Sequence, residues 1–232
     1  MAVSDYDQFA KAYALENESS LLNAYYERPA MLELAGDVCG HDILDIGCGA
    51  GPLTDQLVKR GAKLSGFDAS AAMIDIAKQR LGETAELRVA KLGEVLPYED
   101  NSFDDAVASL VFHYLPDWSF ALQEVRRVLR PGGRLLISVN HPILYPWNHR
   151  GKDYFKVTEY TDEVSLNGES AELSYWHHPL HVTMSAFIDT GFSIERVWEP
   201  PYSKDAPQAV VPEALRDRDA FLSFIFFTLR AM

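Results

Sequence analysis

Cysteine is scarce in this sequence, since Cys39 and Cys48 are the only two among 232 residues. Two cysteines at this spacing form neither a disulfide framework nor a zinc-binding pattern, so we expect a reduced, cytoplasmic protein without a metal site. Basic residues are also few, with 21 Lys and Arg against 34 Asp and Glu and a formal net charge of −13. Because nucleic acids and anionic membranes attract clustered Lys and Arg, this balance argues against both as partners.

Long apolar runs are absent as well, and no stretch is long enough to span a bilayer. The opening segment, residues 1–7, has neither the basic residues nor the apolar core of a signal peptide, so we expect no membrane insertion. What is present is a hydrophobic content of 47%, which suffices for one large core. We predict a single domain over residues 1–232, as a monomer or homodimer.

The segment ILDIGCGAGPLT, residues 43–54, runs from a short apolar strand into three glycines at alternate positions. Glycine tolerates positive φ and has no Cβ, so a ligand can approach the backbone closely, and the helix start behind the glycines favours an anion. The segment therefore predicts a nucleotide-type cofactor loop, although its spacing differs from the Gly-x-Gly-x-x-Gly fingerprint of dinucleotide-binding proteins. The predicted site residues of this segment are Asp45, Gly47, Cys48 and Gly49.

A second acid, Asp68, ends the predicted strand Lys63–Asp68, roughly twenty residues beyond the glycines. An acid at this position is typical of ribose binding, where a carboxylate accepts hydrogen bonds from the hydroxyl groups. The alternative is that Asp68 or Ser70 only caps the next helix, whose apolar face includes Met73. We assign the cap to Ser70 and ribose binding to Asp68, with Ala69 beside it in the predicted site.

The segment Leu96–Asp104, LPYEDNSFD, leads into an apolar run from Ala106 to Phe112. Such a run predicts a strand that is buried on both faces of a parallel sheet. Ligands of doubly wound folds bind at the carboxyl ends of strands, where the strand order reverses. We therefore expect Ser109 and the residues up to Tyr114 beside the cofactor.

Together these segments resemble the class I S-adenosylmethionine-dependent methyltransferases. Residues 43–54 resemble motif I of that family, Leu96–Asp104 resembles its LPF…SFD block, and residues 129–133, LRPGG, resemble the turn before its fifth strand. The resemblance implies S-adenosyl-L-methionine as the cofactor and methyl transfer to a small-molecule acceptor as the activity. It also implies that Asp45, Gly47 and Gly49 line the methionine end of the cofactor.

The adenine contacts depart from the family pattern. Family members usually carry an acid a few positions before the LP pair, where it accepts from the adenine amino group, and Leu92 stands at that position here. The resemblance therefore implies that backbone groups around Leu92 and Gly93 bind the adenine edge, with Glu94 as the alternative side-chain acceptor.

Both flanks of these motifs carry further resemblances. Residues 6–13 resemble the YDxxAxxY segment of small-molecule methyltransferases, which implies that Tyr13 contacts the cofactor near its sulfonium. The alternative is an amphipathic helix that only packs on the sheet. Asn140–Pro142, NHP, resembles a motif of small-molecule members of the family.

Strands alternate with helices through Val139, which predicts an α/β protein with a parallel sheet. We expect a Rossmann-like doubly wound sheet of seven strands, mostly parallel, with an antiparallel last strand. Two segments of the tail, Phe192–Trp198 and Phe221–Leu229, are predicted to pair as a hairpin that completes this sheet. Residues 1–40 are predicted to form an N-terminal helical cap.

The segment 141–179 breaks the alternation and is predicted to form a small β-rich insertion after the fifth strand. It is dense in aromatic residues, and Asn167-Gly168 is a hairpin signal. An insertion at this point lies over the active-site end of the sheet, so we expect it to cap the substrate. The alternative is that its aromatic residues only pack the flap against the sheet.

Methyl transfer from a sulfonium needs a general base only when the acceptor is a poorly acidic hydroxyl or a carbon acid. The candidate bases are His141, after the fifth strand, and His113, after the fourth, whereas His177, His178 and His181 are weaker candidates. Each is equally able to be a structural, hydrogen-bonded histidine. Two other functions remain open: a nicotinamide-dependent dehydrogenase and a non-catalytic module that binds S-adenosylmethionine.

Overall fold

The computed structural model describes residues 6–166, 168–218 and 220–232. Residues 1–5 of the opening segment and Asn167 of the predicted turn lie outside these ranges. The helices are α1 (Tyr6–Ser19), α2 (Arg28–Ala35), α3 (Pro52–Lys59), α4 (Ala71–Leu81), α5 (Ser119–Val128), α6 (Leu144–Asn148) and α7 (Leu180–Asp189), with a π-helix at Asn23–Glu27 and 3₁₀ turns at Phe112–Tyr114 and Glu213–Leu215. The strands are β1 (Asp42–Ile46), β2 (Lys63–Asp68), β3 (Ala85–Val89), β4 (Phe103–Ser109), β5 (Leu129–Asn140), β6 (Thr158–Leu166), β7 (Glu169–His177), β8 (Phe192–Trp198) and β9 (Phe224–Ala231).

Seven strands form one sheet in the order β3-β2-β1-β4-β5-β9-β8. Strand β1 pairs in parallel with both β2 and β4, so the chain order reverses between β1 and β4. Strand β9 lies antiparallel between β5 and β8. This arrangement confirms the predicted doubly wound α/β fold with an antiparallel last strand, and it places the reversal at the glycine loop.

The central strands are buried because helices cover both faces of the sheet. Ala106 of β4 belongs to one apolar cluster, with Leu122 of α5, whereas its neighbour Val107 belongs to a second cluster, with Leu57 of α3. Successive side chains of a strand point to opposite faces, so an uninterrupted apolar run is required here. The sheet thereby brings the loops after β1, β2, β4 and β5 to one edge.

Two predicted strand boundaries are wrong. The fourth strand ends at Ser109, not Phe112, because Leu110 takes a left-handed conformation with φ 51° and a 3₁₀ turn follows at Phe112–Tyr114. The last strand begins at Phe224, not Phe221, and the link from β8 to β9 spans residues 199–223, which is too long for a tight hairpin. The antiparallel pairing of the two tail strands is confirmed.

The insertion after β5 consists of α6 and the hairpin β6–β7, which is a separate two-stranded sheet. Leu166 pairs with Glu169, which confirms a two-residue turn, and Gly168 in that turn has φ 86°. Tyr145 of α6 stacks on His177 of β7 with ring centroids 4.4 Å apart. The aromatic residues of this segment therefore pack on one another as well as on the main sheet.

Within the part of the chain that the structure describes, no helix has both the length and the apolar character that crossing a bilayer requires.

Candidate functional site

The loop between β1 and α3 depends on glycine. Gly47 and Gly49 have φ values of 67° and 54°, a region that side chains with a Cβ rarely adopt. A Cβ on Gly47 would also lie 2.5 Å from Cγ2 of Val111, so this glycine permits close packing of the loop against the turn after β4. Pro52 opens α3, where its missing N–H costs nothing. The loop thus presents bare main chain to the space above it.

Asp45 lies under this loop and is buried. Its Oδ2 accepts a hydrogen bond from the Thr54 hydroxyl at 2.5 Å. Burial raises the pKa of Asp45 to about 7, the Thr54 bond opposes the shift, and the nearby acids Glu27 and Asp68 add to it. A positively charged group bound beside Asp45 would therefore favour its ionised form.

Asp68 connects the end of β2 to the same loop. Its Oδ2 accepts from the backbone N–H of Gly49 at 3.0 Å, and its Oδ1 accepts from that of Ser70 at 2.9 Å. Burial raises the pKa of this half-buried carboxyl, and the two backbone bonds oppose the shift. Ser70 Oγ accepts from the N–H of Met73 at 3.1 Å, which confirms Ser70 as the cap of α4. The ribose contact of Asp68 stays a prediction.

A cavity opens above the glycine loop, and we call it the loop cavity. Its lining comes from the loop, from the turn after β4 and from the N-terminal helices: Tyr13, Asn17, Asn23, Glu27, Arg28, Asp45, Gly47, Cys48, Gly49, Ala50, Pro52, Leu53, Ser109 and Leu110. Six of the predicted cofactor residues meet here, namely Tyr13, Asp45, Gly47, Cys48, Gly49 and Ser109.

The other predicted cofactor residues lie outside the lining of the loop cavity. Asp68 borders it through its bond to Gly49, and Ala69 is exposed next to it. Leu92 packs against an apolar cluster, and Gly93 and Glu94 are exposed on the turn after β3. The adenine contacts proposed for Leu92, Gly93 and Glu94 therefore stay predictions.

Two charged residues of the loop cavity escaped the sequence analysis. Glu27 is buried, and its Oε1 accepts from the hydroxyls of Ser109 at 2.7 Å and Ser138 at 2.6 Å. The neighbouring Arg28 donates from Nη2 to the Oδ1 of Asn17 at 2.5 Å. Burial raises the pKa of Glu27, and the two serine bonds oppose the shift. The sequence did contain a signal for Glu27, because this acid lies one turn before the apolar residues Ala30 and Met31 on the same helical face.

A second cavity lies between the insertion and the ends of β4 and β5, and we call it the histidine cavity. It is lined mainly by imidazoles and aromatic rings: His113, Trp118, Val139, Asn140, His141, Pro142, Tyr145, Tyr160, Trp176, His177, His178, Leu180, Thr183, Ile225 and Phe227. Both predicted bases, His113 and His141, meet in this lining. His181 is exposed and does not belong to it.

The two candidate bases have different surroundings. Nε2 of His141 lies 2.6 Å from Oε1 of Glu199, and its Nδ1 accepts from the N–H of Ile143 at 3.2 Å. Burial lowers the pKa of His141, and Glu199 opposes that shift. Burial lowers the pKa of His113 to about 3, so its ring stays neutral at physiological pH.

The ring of Tyr175, on β7, connects the two cavities. It lies 5.1 Å from the ring of His113 and 5.6 Å from that of Tyr160, both of which line the histidine cavity. Burial raises the pKa of Tyr175, and Tyr13 of the loop cavity adds to the shift, so the two phenols are close enough to interact. Tyr175 therefore lies between the rings of the histidine cavity and Tyr13 of the loop cavity.

Known methyltransferases are similar in sequence to the part of this chain that contains the glycine loop. A family profile described as a methyltransferase domain matches residues 44–137, from β1 through most of β5. A curated demethylmenaquinone methyltransferase of Lactococcus lactis is 36% identical over 136 residues, which cover 56% of this chain and 54% of that protein. The chain spans about half the length of most of the curated relatives it matches.

Solved structures extend the similarity to the whole fold. A putative S-adenosylmethionine-dependent methyltransferase of Listeria monocytogenes superimposes with a TM-score of 0.73 at 20% identity, covering 89% of this chain and 96% of that one. An S-adenosylmethionine-dependent methyltransferase of Mesorhizobium loti gives a TM-score of 0.67 at 25% identity, covering 87% and 96%. Both share the Rossmann-like architecture described above.

Proposed function

We propose that this chain is a class I S-adenosylmethionine-dependent methyltransferase that transfers the methyl group of its cofactor to a small-molecule acceptor. The cofactor would lie in the loop cavity and the acceptor in the histidine cavity. The observation that carries the proposal is the pair of adjoining cavities at the carboxyl ends of β1, β4 and β5, one lined by a bare glycine loop and acids, the other by neutral rings.

The loop cavity fits S-adenosyl-L-methionine in shape and charge. Gly47 and Gly49 have no side chain and line the cavity, so their backbone is open to a ligand, and the acids Glu27 and Asp45 favour a positively charged one. When bound, the cofactor supplies a methyl group on a sulfonium that is already an activated leaving group. The residues proposed to hold it are Asp45, Gly47 and Gly49 for the methionine end and Asp68 for the ribose.

The histidine cavity favours an uncharged acceptor. None of the described residues that line it is Asp, Glu, Lys or Arg, and His113 is neutral. Burying a charged acceptor there without an opposite charge would be costly. The relative from Lactococcus lactis, a demethylmenaquinone methyltransferase by name, supports a small molecule as the acceptor class. We therefore propose a small, uncharged acceptor with an aromatic or otherwise flat body, which the ring-lined walls would contact.

Catalysis in this arrangement rests on alignment and on the exclusion of water. His141 is the proposed base where the acceptor must lose a proton, because Glu199 would stabilise the imidazolium that forms. To accept that proton, Nδ1 of His141 must give up its bond to the N–H of Ile143, while Nε2–H donates to Glu199. His113 is proposed to orient the acceptor as a neutral ring.

The test is methyl transfer from labelled S-adenosylmethionine to fractions of a cell extract. We expect label to enter the small-molecule fraction only when the protein is present, and to enter more slowly with the variant Asp68→Ala when the cofactor is limiting. Label that enters only RNA or protein would refute the small-molecule acceptor. Cofactor binding without label in any fraction would favour the non-catalytic module instead.

A further inference from the structure

Glu27 is an acid in an unusual position. It is the last residue of the π-helix Asn23–Glu27 and lines the loop cavity. Only 3% of its surface is exposed to solvent. The hydroxyls of Ser109 and Ser138 both donate to its Oε1. These two serines are register partners across β4 and β5, so the carboxylate is anchored to the edge of the sheet. Irregular helical turns of this kind occur frequently at functional sites.

No basic side chain of the described residues is in direct contact with the carboxylate of Glu27, although the nearby Arg28 of the same cavity partly offsets its charge. Among residues 6–166, 168–218 and 220–232, no Lys, Arg or His forms an ion pair with it, and Arg28 donates to Asn17 instead. Both serine hydrogen bonds go to the same oxygen, Oε1. A buried carboxylate without a cation is costly unless a ligand supplies one. The cavity that Glu27 lines is where such a ligand would bind.

The place of Glu27 along the sheet indicates which part of the ligand it faces. Ser138 lies two residues before Asn140, and Ser109 lies four before His113, and both Asn140 and His113 line the histidine cavity. Glu27 therefore lies at the side of the loop cavity that adjoins the acceptor. In-line transfer requires the reacting methyl and its sulfur at that border.

The methyl donor and its product differ in charge at that same atom. S-adenosylmethionine carries a positive sulfonium, whereas S-adenosylhomocysteine carries a neutral thioether, and the two are otherwise identical in charge. An anion beside the sulfur therefore favours the donor and has no such effect on the product.

We propose that Glu27 is the specificity-determining residue by which the loop cavity prefers the sulfonium donor over the thioether product, with Oε2 facing the sulfur while the two serines hold Oε1. This inference rests on the proposed function, because it assumes that the donor binds in the loop cavity. Methyl transfer converts the sulfonium to a neutral thioether and so removes its attraction to Glu27. The product is therefore held less tightly than the donor.

The test compares the dissociation constants of donor and product by calorimetry for the wild-type protein and Glu27→Gln. The substitution keeps the size of the side chain and an oxygen that accepts from the serines, and it removes the charge. We expect donor binding to weaken about tenfold or more while product binding changes little, so the preference for the donor falls by that factor. Glu33→Gln is the matched control, because it removes the same charge from an exposed position on α2, and we expect no change in the preference.

The outcomes separate this inference from the proposed function. A wild-type protein that binds neither ligand would refute the proposed function itself. A wild-type protein that binds both, with Glu27→Gln weakening both equally or neither, would overturn only the role of Glu27. Should Glu27→Gln fail to fold, a crystal structure of the wild-type protein with S-adenosylmethionine decides the matter. We expect the Glu27 carboxylate within about 6 Å of the sulfur, and a clearly longer distance would refute the inference.

Discussion

Asp68 Oδ2 accepts a hydrogen bond from the backbone N–H of Gly49 at 3.0 Å, so the acid that ends β2 holds the loop that follows β1. The same carboxylate binds the N–H of Ser70 through its other oxygen. Each oxygen retains a further acceptor position, because an ionised carboxylate accepts about four hydrogen bonds. Asp68 is thus able to shape the loop and to bind a ribose at the same time.

Removing this acid is the first prediction. Asp68→Ala should weaken S-adenosylmethionine binding by about 1.5–3 kcal/mol, because the charged contacts to the ribose hydroxyls are lost. Asp68→Asn keeps an oxygen that accepts from Gly49, so it separates the loop contact from the ribose contact. Titration calorimetry measures both variants, with melting temperature as the control for folding. Unchanged affinity in Asp68→Ala would refute the ribose assignment.

The second prediction concerns the packing of Gly47 against Val111. Gly47→Ala introduces a Cβ that would lie 2.5 Å from Cγ2 and 2.9 Å from Cβ of Val111, at a φ of 67°. We expect a loss of about 1–3 kcal/mol in the free energy of unfolding, together with weaker cofactor binding. Gly132→Ala is the control, because it has a similar φ of 79° and no atom within 4 Å.

A double-mutant cycle tests the cause of that loss. Val111→Ala removes the Cγ2 atom, so part of the cost of Gly47→Ala should disappear in the double variant. Denaturant unfolding gives the four free energies. Strict additivity of the two substitutions would show that the strain at Gly47 arises from its backbone conformation and not from Val111.

The third prediction concerns His141 and its partner Glu199. His141→Ala should lower kcat while the dissociation constant of S-adenosylmethionine changes little, because the imidazole lies in the histidine cavity and not in the loop cavity. Glu199→Gln should lower kcat less, since it removes only the group that stabilises the imidazolium. His181→Ala, an exposed histidine outside both cavities, is the matched control. Wild-type kinetics of His141→Ala on the acceptor found by the labelling experiment would exclude His141 as the base.

The fourth prediction is a pH dependence of stability at Asp105. Burial alone would raise the pKa of this carboxyl, but hydrogen bonds from Arg134 and His41 outweigh it and leave the pKa below its usual value. Because the pKa is lower in the folded state, the stabilisation is fully present above the unfolded pKa of about 3.9 and is lost as the pH falls through the folded value.

The variant Asp105→Asn makes that dependence measurable. At pH 7 it should cost about 1–3 kcal/mol, because it leaves the partly buried Arg134 guanidinium without its charged partner. The difference in unfolding free energy between wild type and variant should shrink below about pH 4. Urea unfolding at pH 7, 5 and 3.5 measures it, and a constant difference across this range would contradict the assignment.

Local and contiguous features of this protein were predictable from its sequence. The loop of residues 43–54, the acid at Asp68 and the cap at Ser70 each lie within a few residues of the strand or helix that they terminate. Such features depend on the conformation of one segment, for which glycine spacing, hydrophobic periodicity and capping residues are direct signals. The alternation of strands and helices likewise predicted the parallel sheet.

The end of β4 shows what local sequence signals do not determine. Residues 106–112 are apolar except for Ser109, yet the strand stops at Ser109 because Leu110 turns into a left-handed conformation. Apolar character indicates burial and does not distinguish a buried strand from the buried turn that follows it. That distinction depends on the packing of Val111 against Gly47, which lies in the loop after β1.

The sequence by itself determined the fold class and the glycine loop and indicated the methyltransferase resemblance, because each is encoded in contiguous segments. Only the tertiary structure decided that Glu27 meets Ser109 and Ser138, which are 82 and 111 residues away, and that His141 meets Glu199, 58 residues away. The physical reason is that these contacts form only when distant segments pack together at the edge of the sheet, and no periodicity or spacing within one segment encodes the distance between two segments.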